Sequence, residues 1–350
     1  MHISLGLYTI AVVCVVCLVA NAQTFQADHA PRQRSSERWS GPRVRSYTVT
    51  ELGDSAMGIN NRGQVVGTAN NHAFLWQDGR LNDLGTLGGS ASSATAINDR
   101  GQVVGGSDTS VVGNVNQHGF LWDGCFMTDL GTLGGPTAAR GINERGQVVG
   151  ISYTGAGNHA FLWQSGTISD LGRLSGGGFS SASGINERGQ IVGTSDRTYG
   201  GQDAFLWRHG QMRDLGIAER NNTYATAIND KGQVVGGSID ARSQFPFLWY
   251  RGRFTDLGTL GGSNGYALAI NRIGQIVGAS DTNGQGHLHA FLWDDGDLGD
   301  LNQRIPVDSG WELIWAFGIN DRGQIVGEGD HNGARRGFLL TPVHEHELHK

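Results

Sequence analysis

Four histidines, His72, His118, His159 and His289, each stand two residues before a phenylalanine. Neutral imidazole is a common metal ligand and a proton carrier near neutral pH. A shared metal would need these rings close together. Each instead belongs to a separate copy of an internal repeat, so a hydrogen bond inside each copy is expected. Asp108, Asp196, Asp240, Asp281 and Asp330 recur in the same way. Ca²⁺ takes clustered oxygens, and Asp281-Thr282-Asn283-Gly284 has such an opening but no second carboxylate. Asx-turns are the simpler account, with Ca²⁺ ligation as the alternative and no other cofactor implied. His344, His346 and His349 read as a solvated tail with weak transition-metal capacity at most. Gly-x-Ser-x-Gly, His-Glu-x-x-His and P-loop motifs do not occur, and no catalytic or metal residue is assigned.

Candidate ligand-binding residues are those that depart from the repeat. Asp203 stands where other copies carry His. Tyr224 belongs to a linker that lacks the usual Thr-Leu-Gly-Gly. Arg140 lies between the small residues Ala139 and Gly141, where other copies have Met57, Thr95, Ser183, Thr226, Leu268 and Phe317. It could reach a central channel, or form a salt bridge between copies. Trp311 is expected in a linker rather than a core strand. With Trp315 it could stack on a sugar or anchor a protein partner; closure of the last copy is the competing role.

These side chains must be held by seven copies of one pattern. Ile-Asn, two residues, then Gly-Gln-(Val/Ile)-Val-Gly begins at Ile59, Ile97, Ile142, Ile185, Ile228, Ile270 and Ile319. A period of this size marks a solenoid, propeller or array. Each copy holds four short strand signals: Ala-x-(Ala/Gly)-Ile-Asn, Gln-Val-Val-Gly, Phe-Leu-Trp, and a run ending Asp-Leu-Gly. The Asn-x-x-Gly between the first two suits a type I turn followed by Gly at positive φ. Phe, Leu and Trp alternate faces yet are all apolar, so both faces of each meander must be covered. Stacked blades do that.

The ends of the chain point to closure. The last copy stops at Phe338-Leu339-Leu340-Thr341-Pro342 without a fourth strand, and an orphan fourth strand, Tyr47 to Gly53, precedes the first copy. The N-terminal strand can therefore complete the last blade and leave no open sheet edge. The expected fold is all-β: a seven-bladed β-propeller of four-stranded antiparallel blades over residues 47–342.

The His-Ala-Phe tripeptides at residues 72, 159 and 289, with Asp-Leu-Gly-Thr-Leu-Gly-Gly at 83–89, 129–135 and 256–262, resemble the HAF repeat family of extracellular bacterial proteins. The last copy, from Asp300-Leu301-Asn302 through Trp311 to Pro342, resembles that family's closing repeat. The resemblance implies export and a propeller-like repeat array, and carries no established activity.

Composition limits the function. Gly supplies 57 of 350 residues while charged residues are 17%, which suits tight turns and excludes a charged disordered chain. Residues 1–22 carry no Asp, Glu, Lys or Arg and end in Ala20-Asn21-Ala22, the pattern of a cleaved signal peptide. Secretion to the periplasm or the exterior follows, with no transmembrane segment in the mature chain. Residues 23–46 form a basic linker of net charge +3, and the body 47–342 carries −8. An acidic body is a poor nucleic-acid binder. Cys125 alone among three cysteines lies beyond the signal, so no internal disulfide is expected. The expected function is that of a monomeric binding propeller for an extracellular polysaccharide or protein. An envelope scaffold and a propeller enzyme acting on glycans or lactones are the alternatives.

Overall fold

A computed structural model describes residues 46–110, 117–174, 177–198, 200–216, 222–240, 243–283 and 287–343. The expected signal peptide, nearly all of the basic linker and the three tail histidines lie outside them. The described chain is all-β apart from one 3-10 turn at Leu301–Arg304. Among the described residues no helix is long and apolar enough to cross a membrane.

The strands form antiparallel meanders. The first unit runs Ser55–Ile59, Val65–Ala69, His72–Gln77 and Arg80–Asp83, each strand pairing with the next. Five sheets have four strands. The sixth has eight and consists of two such units joined by a single parallel bridge, Gln244 to Asn264. The N-terminal strand Tyr47–Leu52 pairs with the C-terminal strand Ala334–Pro342, from Tyr47↔Pro342 to Leu52↔Gly337. It supplies the fourth strand of the last unit, beside Ile325–His331 and Trp311–Ile319.

Local chemistry explains the strand ends. Gly63 and Gly101 close the first two Asn-x-x-Gly turns at φ near +80°, a conformation open to glycine. The inner strand of every unit carries a bulge after its buried Ala, as between Ala139 and Gly141. Opposite the bulge, a second-strand Gly meets the inner strand's backbone. A Cβ at Gly150 would overlap the Ala138 carbonyl oxygen, and one at Gly236 that of Tyr224.

The core lies between units rather than within them. Val66, Ala73 and Leu75 of the first unit pack with Ala94, Ile97, Val103 and Phe120 of the second. The same contact recurs along the chain and also joins the last unit to the first, where Leu339 and Val326 pack with Val65, Phe74 and Ala56. The Trp of each Phe-Leu-Trp is partly buried against one of these clusters.

Two outcomes test this architecture. Gly150→Ala should destabilise by about 1–3 kcal/mol through overpacking, whereas Gly178→Ala, which meets nothing within 4 Å, should be neutral in the same urea titration. Tyr47 is buried in the closing strand, and burial pushes its phenol up to about 12. A raised pKa gives stability that is complete below the unfolded value near 10 and lost as pH rises toward 12. The melting temperature should fall across that window, and Tyr47→Phe should remove part of the fall.

Candidate functional site

The inner strands Ser55–Ile59, Gly88–Ile97, Thr137–Ile142, Ser180–Ile185, Asn222–Ile228, Gly261–Ile270 and Trp311–Ile319 surround a central space. At one end each finishes in Ile-Asn. Every Asn side chain there is a node. Asn60 accepts at Oδ1 from the Arg62 and Gln64 amides and donates at Nδ2 to Gln64 Oε1 and to the Asn98 carbonyl of the next unit. Asn98, Asn143, Asn186, Asn229 and Asn271 each donate onward in the same way. Asn320 donates to the carbonyl of Asn60.

The next residue in each unit adds a second circuit. Asp99, Glu144, Glu187, Asp230 and Asp321 each accept the main-chain N–H of the preceding unit at 2.7–2.9 Å, and Asn61 accepts that of Asp321. Arg272 interrupts the carboxylates and lies 3.9 Å from Asp230 and 3.6 Å from Asp321. Burial and the neighbouring Asp99 and Glu187 raise the Glu144 carboxyl above the usual range. The Ile, Asn and following side chains line a cavity of about 210 Å³. Among the described residues no group of three His, Cys, Asp or Glu is placed to hold a metal ion. The acidic residues went unread in the sequence, although their position, one after each Asn, was available as a signal.

The other end is asymmetric. In each unit the residue at the bulge is partly exposed between buried Ala and the turn: Met57, Thr95, Arg140, Ser183, Thr226, Leu268 and Phe317. Two residues earlier stand Ser55, Ser93, Ala138, Ser181, Tyr224, Tyr266 and Trp315, so the first four units carry small side chains and the last three carry aromatic rings. Trp315 lies 5.2 Å from Tyr266 across the unit boundary and stacks on Phe317 at 6.2 Å with planes 6° apart. All three rings are partly exposed.

The five residues chosen from sequence separate. Trp315 belongs to this aromatic cluster. Tyr224 shares its layer but is buried over Gly237, with its hydroxyl bonded to Gln244 and its ionisation pushed far up by burial. Arg140 donates to Ser181 Oγ of the next unit at 2.7 Å. Trp311 is not in a linker. It opens the strand Trp311–Ile319, paired with His331, because the last unit's first two strands continue past the consensus turn. Its indole stacks on His331 at 4.6 Å and meets the edge of Phe338, so packing occupies both.

Asp203 sits in the slot of the repeat histidines. His72, His118, His159 and His289 each pair through Nδ1 with Asp83, Asp129, Asp170 and Asp300 of the same unit at 2.7–2.8 Å, the expected internal bond. That bond and the Gly85 amide hold Asp83 below the ordinary range, the amide being the larger cause. Asp203 instead faces Asp214. Burial and that second carboxylate raise it, and Arg197 at 3.5 Å offsets part of the effect. The recurrent aspartates also differ from expectation. Asp240 accepts from the Ser243 amide as an Asx-turn would. Asp108, Asp196, Asp281 and Asp330 lie inside second strands and bind Ser90, Gln202, Asn264 and Arg335 side chains. Their spacing imitates turn chemistry because the second strand runs past its Gly.

Replacing Asp203 by His should restore the pair of the other units with Asp214. Thermal denaturation at pH 7 should show a gain on the order of 0.5–2 kcal/mol, the usual scale of a return to repeat consensus. A loss would mean that Arg197 and Asp203 outweigh the repeat pair.

No family model matches the chain, and no curated protein matches it. Solved structures do. An oligogalacturonate lyase in complex with manganese is 11% identical, with 85% of this chain and 97% of that one covered at a TM-score of 0.53. The extracellular domain of a one component system from B. thetaiotaomicron is 13% identical, covering 85% and 40% at 0.52. The β-propeller domain of the Trilobed protease from Pyrococcus furiosus is 13% identical, covering 71% and 81% at 0.50. Likeness at these identities is one of fold, and the fold of this chain is an all-β propeller.

Proposed function

We propose that the chain is an exported, closed seven-bladed propeller of the HAF repeat kind that works as a binding module. Its ligand, a glycan or a protein surface, sits at the aromatic end of the central space. The observation that carries the reading is the break in symmetry. Residues repeated in every blade serve the scaffold, whereas Tyr266 and Trp315 present partly exposed rings on inner strands where the first four blades carry Ser, Ser, Ala and Ser, and Phe317 adds a third ring at the bulge of the last blade. Exposed aromatic rings with fixed partners are efficient anchors, since little side-chain freedom is lost on binding. The return of the Asn bonds from Asn320 to Asn60 and the pairing of Tyr47–Leu52 with the last blade support closure. Export rests on the uncharged leader of residues 1–22.

Binding is favoured over catalysis by where the perturbed acids lie. Glu144, Asp203 and Glu328 all have raised carboxyls, but they belong to the third, fourth and seventh blades. Glu328 is matched by Arg335 at 3.3 Å. A general acid and its partner must converge on one reacting bond.

The test is capture by an immobilised polysaccharide panel and by envelope proteins, using residues 23–350 and a Trp315→Ser variant that borrows the residue of the first blade. Capture weakened at least tenfold in the variant, at unchanged melting temperature, is expected. Equal capture by both proteins would move the site elsewhere, and capture by neither would leave the scaffold reading.

A further inference from the structure

We infer that the aromatic end receives an arginine side chain from a basic protein partner, a reading that deepens the binding function above and rests on it. The first observation is the form of the rings. Trp315 and Phe317 lie with their planes 6° apart, and Tyr266 meets Trp315 at 5.2 Å and 59°. The three partly exposed rings thus make a wall and a corner. A guanidinium is planar and weakly hydrated. It stacks on such faces, drawn by the negative charge density above each ring.

The second observation is the charge beside the rings. Ala279 is opposite Tyr266 in the strand pairing, and Asp281, two residues on, belongs to the same face of that blade. Burial and the Asp281 charge together push the Tyr266 phenol up, so the carboxylate acts on the ring directly. Asp281 accepts from Asn264 Nδ2 at 2.7 Å, a neutral donor that leaves its charge uncompensated. Among the described residues no cation pairs with it. Glu328 is opposite Trp315, a pairing that sets Cβ atoms about 5 Å apart. The cation beside it, Arg335, is shared at 3.3 Å with Asp330.

These neighbours select the ligand. An apolar anchor would take water from the carboxylates without return, and an anion would be repelled. A neutral sugar would bring hydroxyl donors but no charge to offset Asp281. Lysine would bring the charge as a compact, strongly hydrated point without a flat face. Arginine does both: its plane lies on the ring wall and its N–H groups turn to the carboxylates. The net charge of −8 on residues 47–342 speeds the approach of a basic partner. A separate molecule is favoured over the chain's own basic linker, which joins at Tyr47, beside Pro342 at the Asn-bearing end of the blades.

Calorimetry with tetra-arginine and tetracitrulline peptides tests this, because citrulline keeps the shape of arginine and loses its charge. The protein is residues 23–350, with Trp315→Ser and Asp281→Asn as variants. Asp78→Asn is the control for general attraction to an acidic protein. Asp78 is exposed in a hairpin of the first blade, at a φ of +51° that Asn tolerates. The wild type should bind tetra-arginine at least tenfold more tightly than tetracitrulline. Trp315→Ser should weaken tetra-arginine at least tenfold. Asp281→Asn, which can still accept from Asn264, should weaken it three- to tenfold and leave tetracitrulline unchanged; this isosteric variant carries the test should Trp315→Ser melt early. Asp78→Asn should change neither. Equal binding of the two peptides, with Trp315→Ser weakening both, would overturn the cationic inference and leave the binding reading standing. Equal weakening by Asp281→Asn and Asp78→Asn, with none from Trp315→Ser, would reduce the binding to surface charge and overturn it. Tetralysine bound as tightly as tetra-arginine would overturn the choice of arginine. Binding of neither peptide by the wild type would overturn the separate partner. If binding then appeared once Arg32, Arg34, Arg38, Arg43 and Arg45 were changed to Gln, the site would pass to the chain's own linker.

Discussion

The whole arrangement depends on one side chain repeated in every unit, the Asn that ends each inner strand. Its amide is buried and uses two acceptor and two donor positions, as at Asn60. Three of these bonds shape the local turn and the fourth reaches the next unit. A buried amide left without partners costs more than a typical hydrogen bond contributes, about 1–3 against 0.5–1.5 kcal/mol. Turn geometry and unit spacing are thus set by the same group. The Gln four residues on completes the node within its own unit, its main-chain N–H donating to the Asn side chain and its side-chain oxygen accepting from it.

Around that symmetric end the chain has little freedom to vary. In six of the seven units the residue after Asn accepts a main-chain N–H from the adjacent unit, which explains the run of Asp and Glu and the Asn61 that substitutes for them; Arg272 is the exception. The opposite end carries no such requirement. Position two before the bulge holds Ser, Ala, Tyr or Trp, and the bulge itself holds Met, Thr, Arg, Ser, Leu or Phe. Chemical specialisation accumulates where the fold does not consume the side chain.

Most of the strand plan was legible in the sequence because its signals are local. Phe-Leu-Trp, Val-Val and the turn glycines each specify their own few residues, and the structure places strands and positive-φ glycines at them. The orphan strand before Ser55 was also readable, and it pairs with Ala334–Pro342. What remained hidden is non-local. Asn60 read as a turn residue, but its bond to Asn98 joins groups 38 residues apart. Gly150 read as the end of a strand, whereas its lack of a side chain admits the Ala138 carbonyl. Trp311 read as linker because the strand it opens is longer than the consensus, and only its partner His331 makes the extension visible. Only Trp315 of the aromatic cluster is singled out by the sequence; Phe317 enters there only as the counterpart of Arg140, and Tyr266 meets Trp315 only because adjacent units pack together.

The pairing of the first strand with the last also governs how such a chain can come into being. Thr48 donates to the Thr341 carbonyl across 293 residues, so the clasp forms only once all seven repeats between them are present. Contacts of such long range cost loop-closure entropy before they repay it, and they slow folding. Until then the Ala334–Pro342 strand has an open edge, available to the Tyr47–Leu52 segment of another molecule as readily as to its own. Exchange of that segment at high concentration would preserve every backbone bond in the last sheet. The same clasp that hides the final edge thereby makes the nascent chain susceptible to domain swapping, with protein concentration during folding deciding between the two partners.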